Sequence, residues 1–130
     1  MPKTFDDVLR QISMFNEERD WARFHTPRNL VLALVGEVGE LAELVQWVPD
    51  AQIADWAAQK DNRAKLEHEV ADVLIYALQL ARALGLDPGQ IIESKIALNA
   101  AKYPVEEFKS SSRKYNEADV SHNDQTEEPA

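Results

Sequence analysis

Apolar positions along the chain recur at the three- and four-residue spacing of helices, and no segment alternates as a half-buried strand would. Phe5, Val8, Leu9, Ile12 and Phe15 share one side of a first helix, with Thr4 placed to cap it and Asp7 in its first turn. This pattern predicts a helix to about Trp21, followed by the connector "RFHTPRN". Thr26 as cap and Pro27 as first helical residue open a second helix that ends near Trp47, before Pro49. A short helical piece is expected over 51–58. Asp61 or Asn62 then opens a third long helix, "RAKLEHEVADVLIYALQLARAL", closed by Gly85. Asp87 and Pro88 start a fourth, which runs to about Tyr103 and stops at Pro104.

The expected architecture is all-α: a bundle of about four main helices forming one domain over residues 1–115, without an internal repeat. The segment 116–130, "NEADVSHNDQTEEPA", is polar, acidic and lacks an apolar face. It cannot offset the entropy of ordering and is expected to be a disordered tail.

Composition narrows the chemistry. At 130 residues and 45% hydrophobic content, the chain suits one globular domain. It has no cysteine, which removes disulfides, thiolate metal sites and cysteine nucleophiles. No apolar run resembles a secretory signal or spans a membrane, so a soluble cytoplasmic protein without membrane partners is expected. The net charge of −9 weighs against binding nucleic acid, which calls for a basic face. It leaves room for a small phosphorylated substrate, because divalent cations reverse the local sign.

The stretch "LVLALVGEVGELAELVQW", 30–47, carries the chemical signal. It reads as a buried helix, yet Glu37 and Glu40 stand three apart on it and project together. The third long helix repeats the device with Glu69 and Asp72, among Val70, Ala71, Val73 and Leu74. Side by side, the two helices could aim four carboxylates at one point. Burying them uncompensated costs several kcal/mol per ion, and like charges raise one another's pKa. A hard divalent cation relieves both, and an all-oxygen ligand set points to Mg²⁺ or Mn²⁺. Two solvated helix faces remain the alternative from spacing alone. A di-iron bundle would require Glu-x-x-His, and no Glu here has a His three residues later. Gly36 and Gly39, interleaved as "GEVGE", each cost about 1 kcal/mol relative to Ala inside a helix. They suggest close approach by another helix or by a ligand.

Five blocks in order now define a resemblance: "ERDW" (18–21), "FHTPRNLVLALVGEVGELAELVQW" (24–47), "EVADVLIYAL" (69–78), "SKIALNAAKYP" (94–104) and "SSRKY" (111–115). Together with E-x-x-E followed by E-x-x-D, they resemble the all-α nucleoside triphosphate pyrophosphohydrolases of the MazG-like, dUTPase-related superfamily, above all its dCTP pyrophosphatase branch. The resemblance covers about residues 5–115. It implies a helical bundle working as a homodimer or homotetramer that cleaves a nucleoside triphosphate to monophosphate and pyrophosphate. Carried over by motif, Glu37, Glu40, Glu69 and Asp72 are the implied Mg²⁺ ligands and catalytic acids.

Further groups suit such a pocket. Trp21 and Trp47, at the ends of the first two long helices, could sandwich a base; Tyr76, four residues past Asp72, could meet sugar or phosphate. Lys95, Asn99 and Lys102 form a polar stripe suited to a polyphosphate. Arg113 and Lys114 could close over phosphates, while His25 is better placed to fix the connector than to catalyse. Where vertebrate members of the branch carry a His on the first helix, this chain has Ile12, which leaves base preference open. The expected substrate is dCTP or a modified dCTP. The alternatives are a broader dNTP or dUTP hydrolase, or a non-enzymatic oligomerisation module with a structural cation site.

Overall fold

The computed structural model describes residues 3–109, and among these there is no strand. The chain divides into two compact units, one ending at Pro88 and one beginning at Gly89. Segments 111–115 and 116–130, for which a phosphate contact and a disordered tail are expected, lie outside the described residues.

The first unit holds α1 (Phe5–Glu18), a single 3-10 turn (Ala22–Phe24), α2 (Pro27–Val45), α3 (Asp50–Ala58) and α4 (Lys60–Ala83). A reciprocal box caps α1: the Asp7 amide donates to Thr4 Oγ1 at 3.2 Å, and the Thr4 amide donates to Asp7 Oδ2 at 3.1 Å. Hydrogen bonds from Thr4 hold the Asp7 carboxyl below its usual range, with the Arg10 guanidinium adding a smaller push. Thr26 caps α2, accepting from the Asn29 amide at 3.3 Å, with Pro27 in the first turn. Between α3 and α4 the helix breaks for one residue, Gln59, whose backbone is extended. The expected start at Asp61 or Asn62 therefore moves to Lys60. Asn62 instead bridges the break, its Nδ2 reaching back to donate to the Trp56 carbonyl at 3.0 Å.

Two helices end in the same way. After α1, the Trp21 amide donates to the Asn16 carbonyl at 2.9 Å and the Asp20 amide to that of Glu17 at 3.1 Å, with Asp20 at φ +52. After α4, the Leu86 amide donates to Ala81 at 2.8 Å and the Gly85 amide to Arg82 at 2.9 Å, with Gly85 at φ +69. Both are Schellman ends, in which a left-handed residue turns the chain back on the last open carbonyls.

The α2–α4 pair is the most extensive packing in this unit, and α3 and α1 also lie against α4. Leu9, Leu30 and Ala81 are buried. Arg82 ties α4 to α1 by donating to the Leu9 carbonyl at 3.0 Å and to Ser13 Oγ. Much of the apolar surface remains open: Val31, Leu32, Val35 and Val38 on α2 are 43–64% exposed, and Val70 and Leu74 on α4 are exposed too. A Cβ built at Gly36 or Gly39 would meet nothing within 4 Å. The close approach expected at these glycines is thus absent among the described residues, because α2 turns that side outward. No described helix is long and apolar enough to cross a membrane.

The second unit contains α5, assigned as Pro88–Lys102 and so starting at the boundary, and the short α6 (Val105–Phe108). Pro104 ends α5 as expected and also caps the extra turn of α6. Tyr103 and Phe108 meet edge to face across it, with centroids 5.0 Å apart.

Gly85 meets nothing that a methyl group would strike, so replacing it tests backbone strain alone. Gly85→Ala should lower stability by about 1 kcal/mol, read as an earlier urea midpoint with an unchanged slope. An unshifted midpoint would show that this end of α4 does not depend on the left-handed residue.

Candidate active site

The pairing of α2 with α4 decides where the acids go. Glu37 and Glu40 come from α2, Glu69 and Asp72 from α4, each pair on one helical face. One carboxylate oxygen from each of Glu37, Glu40 and Glu69 lies within 4.8 Å of the other two. Glu37 Oε2 and Glu69 Oε2 are buried and have no hydrogen-bond partner among the described residues. None of the ion pairs found among those residues involves these acids.

The electrostatic consequence is direct. Desolvation, followed by the hydrogen bond and charge of Glu40 and the charges of Asp72 and Glu69, pushes Glu37 up to about 7. Glu69 is raised as well, first by desolvation and then by Glu40 and Asp72, against a smaller lowering by its hydrogen bond with Glu37. Asp72 stands outside the tight triad but acts on both Glu37 and Glu69 through its charge. Converging oxygens, two orphaned buried atoms and uncompensated negative charge are what a hard divalent cation fits.

Asp72 also lines a cleft of about 450 Å³. Its walls include Ile12 and Phe15 of α1, then Trp21, and Tyr76 and Gln79 of α4. Asp72, Tyr76 and Gln79 follow at four and three residues and so form one stripe down α4. The Schellman end of α1 aims Trp21. Its ring meets Phe15 edge-on, centroids 5.6 Å apart and planes at 71°, while the Arg19 guanidinium covers Phe15 at 3.6 Å. The cleft therefore joins an aromatic wall to the edge of the acid cluster.

Of the residues singled out from sequence, the structure brings Glu37, Glu40 and Glu69 together and sets Asp72, Tyr76 and Trp21 around the adjoining cleft. Trp47 does not line that cleft; it follows the end of α2 and is 86% exposed. Lys95, Asn99 and Lys102 are exposed on α5, in the second unit. Sequence reasoning passed over Phe15, Gln79 and Asn16 as site residues. For Gln79 the signal was present, since it continues the stripe of Asp72 and Tyr76. Nothing in the sequence flagged Asn16, a buried polar side chain whose Nδ2 donates to Gln79 Oε1 at 2.9 Å.

Comparison with known proteins bears on this arrangement. A family model described as the MazG-like family matches residues 33–118. The dCTP pyrophosphatase 1 of Rattus norvegicus is 48% identical over 112 residues, covering 86% of this chain and 66% of that protein. Its Homo sapiens counterpart is 47% identical over 114 residues, covering 88% and 67%. The chain thus spans about two thirds of the length of these relatives. A dATP/dGTP diphosphohydrolase of cyanophage S-2L is 31% identical over 102 residues, covering 78% of this chain and 79% of that one. Among solved structures, a pyrophosphatase from Archaeoglobus fulgidus superposes with a TM-score of 0.71 at 31% identity, over 80% of this chain and 95% of that one.

The raised carboxyls predict a pH dependence for the metal-free protein. Glu37 titrates near 7 when folded, against an ordinary value of 4.5, so the folded state holds a proton that the unfolded chain has lost. Its contribution favours the folded state at lower pH and is lost as pH rises through about 7. In EDTA, Glu37→Gln should raise the Tm at about pH 8 and change it less at about pH 5.5. An equal effect at both pH values would show that no proton is taken up there.

Proposed function

Because the chain belongs to the MazG-like family, we propose that it is a Mg²⁺-dependent nucleoside triphosphate pyrophosphohydrolase that cleaves dCTP, or a modified dCTP, to the monophosphate and pyrophosphate. The observation that carries this reading is the convergence of Glu37, Glu40 and Glu69 beside a cleft that shares Asp72 and is walled by Trp21.

Glu37, Glu40, Glu69 and Asp72 are the groups that would hold Mg²⁺, with Mn²⁺ as a substitute of the same hardness. When bound, the metal neutralises phosphate charge and activates a water for attack at the α-phosphorus. The chain's own residues do the rest. Trp21 offers a flat apolar face for a base, and ring stacking of this kind contributes ~1–3 kcal/mol. Tyr76, one turn past Asp72 on the cleft wall, is the group we assign to sugar or phosphate. Lys95, Asn99 and Lys102 are assigned to the polyphosphate from their spacing and charge, and Trp47 to the base. A net charge of −9 fits a small metal-bound substrate better than a nucleic-acid strand, and the cytoplasmic nucleotide pool is the source we assign.

Self-association belongs to the same reading. Val31, Leu32, Val35 and Val38 leave α2 with an exposed apolar face, and Val70 and Leu74 add to it from α4. Faces of this kind are normally covered by a partner. The open space at Gly36 and Gly39 would let another backbone come close. A homodimer or homotetramer satisfies these features.

The metal assignment is tested by pyrophosphate release from dCTP. EDTA should abolish activity and Mg²⁺ restore it. Glu40→Gln removes a charge but little volume; kcat should fall by about 100-fold or more, with the fold intact by circular dichroism. Full activity in that variant would refute the assignment.

The assembly is tested by light scattering at micromolar concentration. The expected mass is two or four times that of the chain. A fully active monomer would refute it.

A further inference from the structure

We propose that Gln79, held in one orientation by Asn16, selects cytosine over uracil and thymine in the cleft. This inference rests on the reading of that cleft as the nucleotide site and asks what within it chooses the base. The acid cluster meets phosphates, which are common to every nucleotide, so it cannot choose. The aromatic wall at Phe15 and Trp21 stacks on any base, since each presents a flat face. Discrimination needs a polar group in the cleft with a fixed sense of donor or acceptor.

Gln79 supplies one. A carboxamide alone offers both senses, an oxygen that accepts and an NH₂ that donates, and can turn either outward. Here the oxygen is already engaged. Asn16 is buried, at 9% exposure, and its Nδ2 donates to Gln79 Oε1 at 2.9 Å. With the oxygen engaged, Gln79 is left with the Nε2 hydrogens, for which the described residues provide no acceptor. Gln79 lines the cleft on the stripe that continues from Asp72 through Tyr76, and its Nε2 hydrogens are the donor we assign to that wall. Gln11 also lines the cleft but is exposed and has no partner among the described residues, so its amide can turn either way and favours neither base. Ile12 makes the facing part of α1 apolar, which leaves the reading of the base edge to α4.

The chemistry of the pyrimidines completes the argument. The edge that Gln79 must meet is N3, since O2 accepts in all three pyrimidines and a donor at position 4 would favour the O4 of uracil over the amino group of cytosine; cytosine N3 is an acceptor. Uracil and thymine carry a hydrogen on N3, so a fixed donor there meets another donor and both lose their water without gaining a partner. A site built to hydrogen-bond one base rejects its analogue on this ground. Asn16 is a positioning residue in this scheme, and Gln79 is the group that touches the base.

The test compares kcat/KM for dCTP and dUTP with Mg²⁺, read by pyrophosphate release. The wild-type chain should favour dCTP. Gln79→Met keeps the length of the side chain and removes the donor; the dCTP/dUTP ratio should fall by about tenfold or more, through loss on dCTP. Asn16→Asp should move the ratio further. The new carboxylate only accepts, so Gln79 must give it the Nε2 hydrogens and turn Oε1 into the cleft, which suits the N3 hydrogen of uracil. A merely structural tie between α1 and α4 would lower the Tm and reduce both substrates equally. A ratio unchanged in Gln79→Met, or a wild-type preference for dUTP, overturns the proposal and leaves the pyrophosphohydrolase intact. A wild-type chain that releases no pyrophosphate from any nucleotide overturns both. If Asn16→Asp does not fold, Gln79→Met decides alone.

Discussion

Repulsion among carboxylates is the constraint around which the first unit is built. Three acids with oxygens inside 4.8 Å of one another oppose the α2–α4 pairing that brings them together. In the metal-free chain, desolvation first and the hydrogen bond and charges of the neighbouring acids after it push Glu37 up to about 7, and a proton there relieves part of the strain. A bound cation would relieve it without a proton and would stabilise the folded state by mass action. The same contact thus serves both as the main helix packing of this unit and as the point where the acids converge.

That constraint was legible because its signature is local. Two E-x-x-E/D pairs on apolar helices place four acids on two faces, and the apolar periodicity of those helices requires the faces to pack. The helix starts at Thr4 and at Thr26–Pro27, and the end of α4 at Gly85, were legible for the same reason, since each depends on one or two adjacent residues. What stayed hidden depends on residues far apart. The bond from Asn16 to Gln79 joins positions 63 residues apart, and no spacing rule connects them. The break near Gln59 was legible as the gap between a short helix over 51–58 and the next helix, and only its one-residue length was not. Gly36 and Gly39 pointed to a close approach, yet none of the described residues comes near them.

Proteins in this comparison carry names referring to dCTP and to dATP and dGTP. The phosphates are common to all three nucleotides, and what differs between them is the hydrogen-bonding edge and size of the base. On the reading proposed above, the acid cluster meets the common part and the cleft wall that extends from Asp72 toward α1 meets the part that differs.

On that wall, one residue acts in two directions. The backbone carbonyl of Asn16 accepts from the Trp21 amide at 2.9 Å, closing the Schellman end that sets the indole against Phe15. The side chain of Asn16 fixes the Gln79 amide at 2.9 Å. Stacking face and hydrogen-bonding group are thereby referred to a single point near the end of α1. The left-handed position of that end is filled by Asp20 rather than the glycine that the end of α4 uses at Gly85. Asp is among the few residues other than Gly that visit this conformation. Keeping a side chain there limits the backbone freedom of the link between Asn16 and Trp21 more than a glycine would.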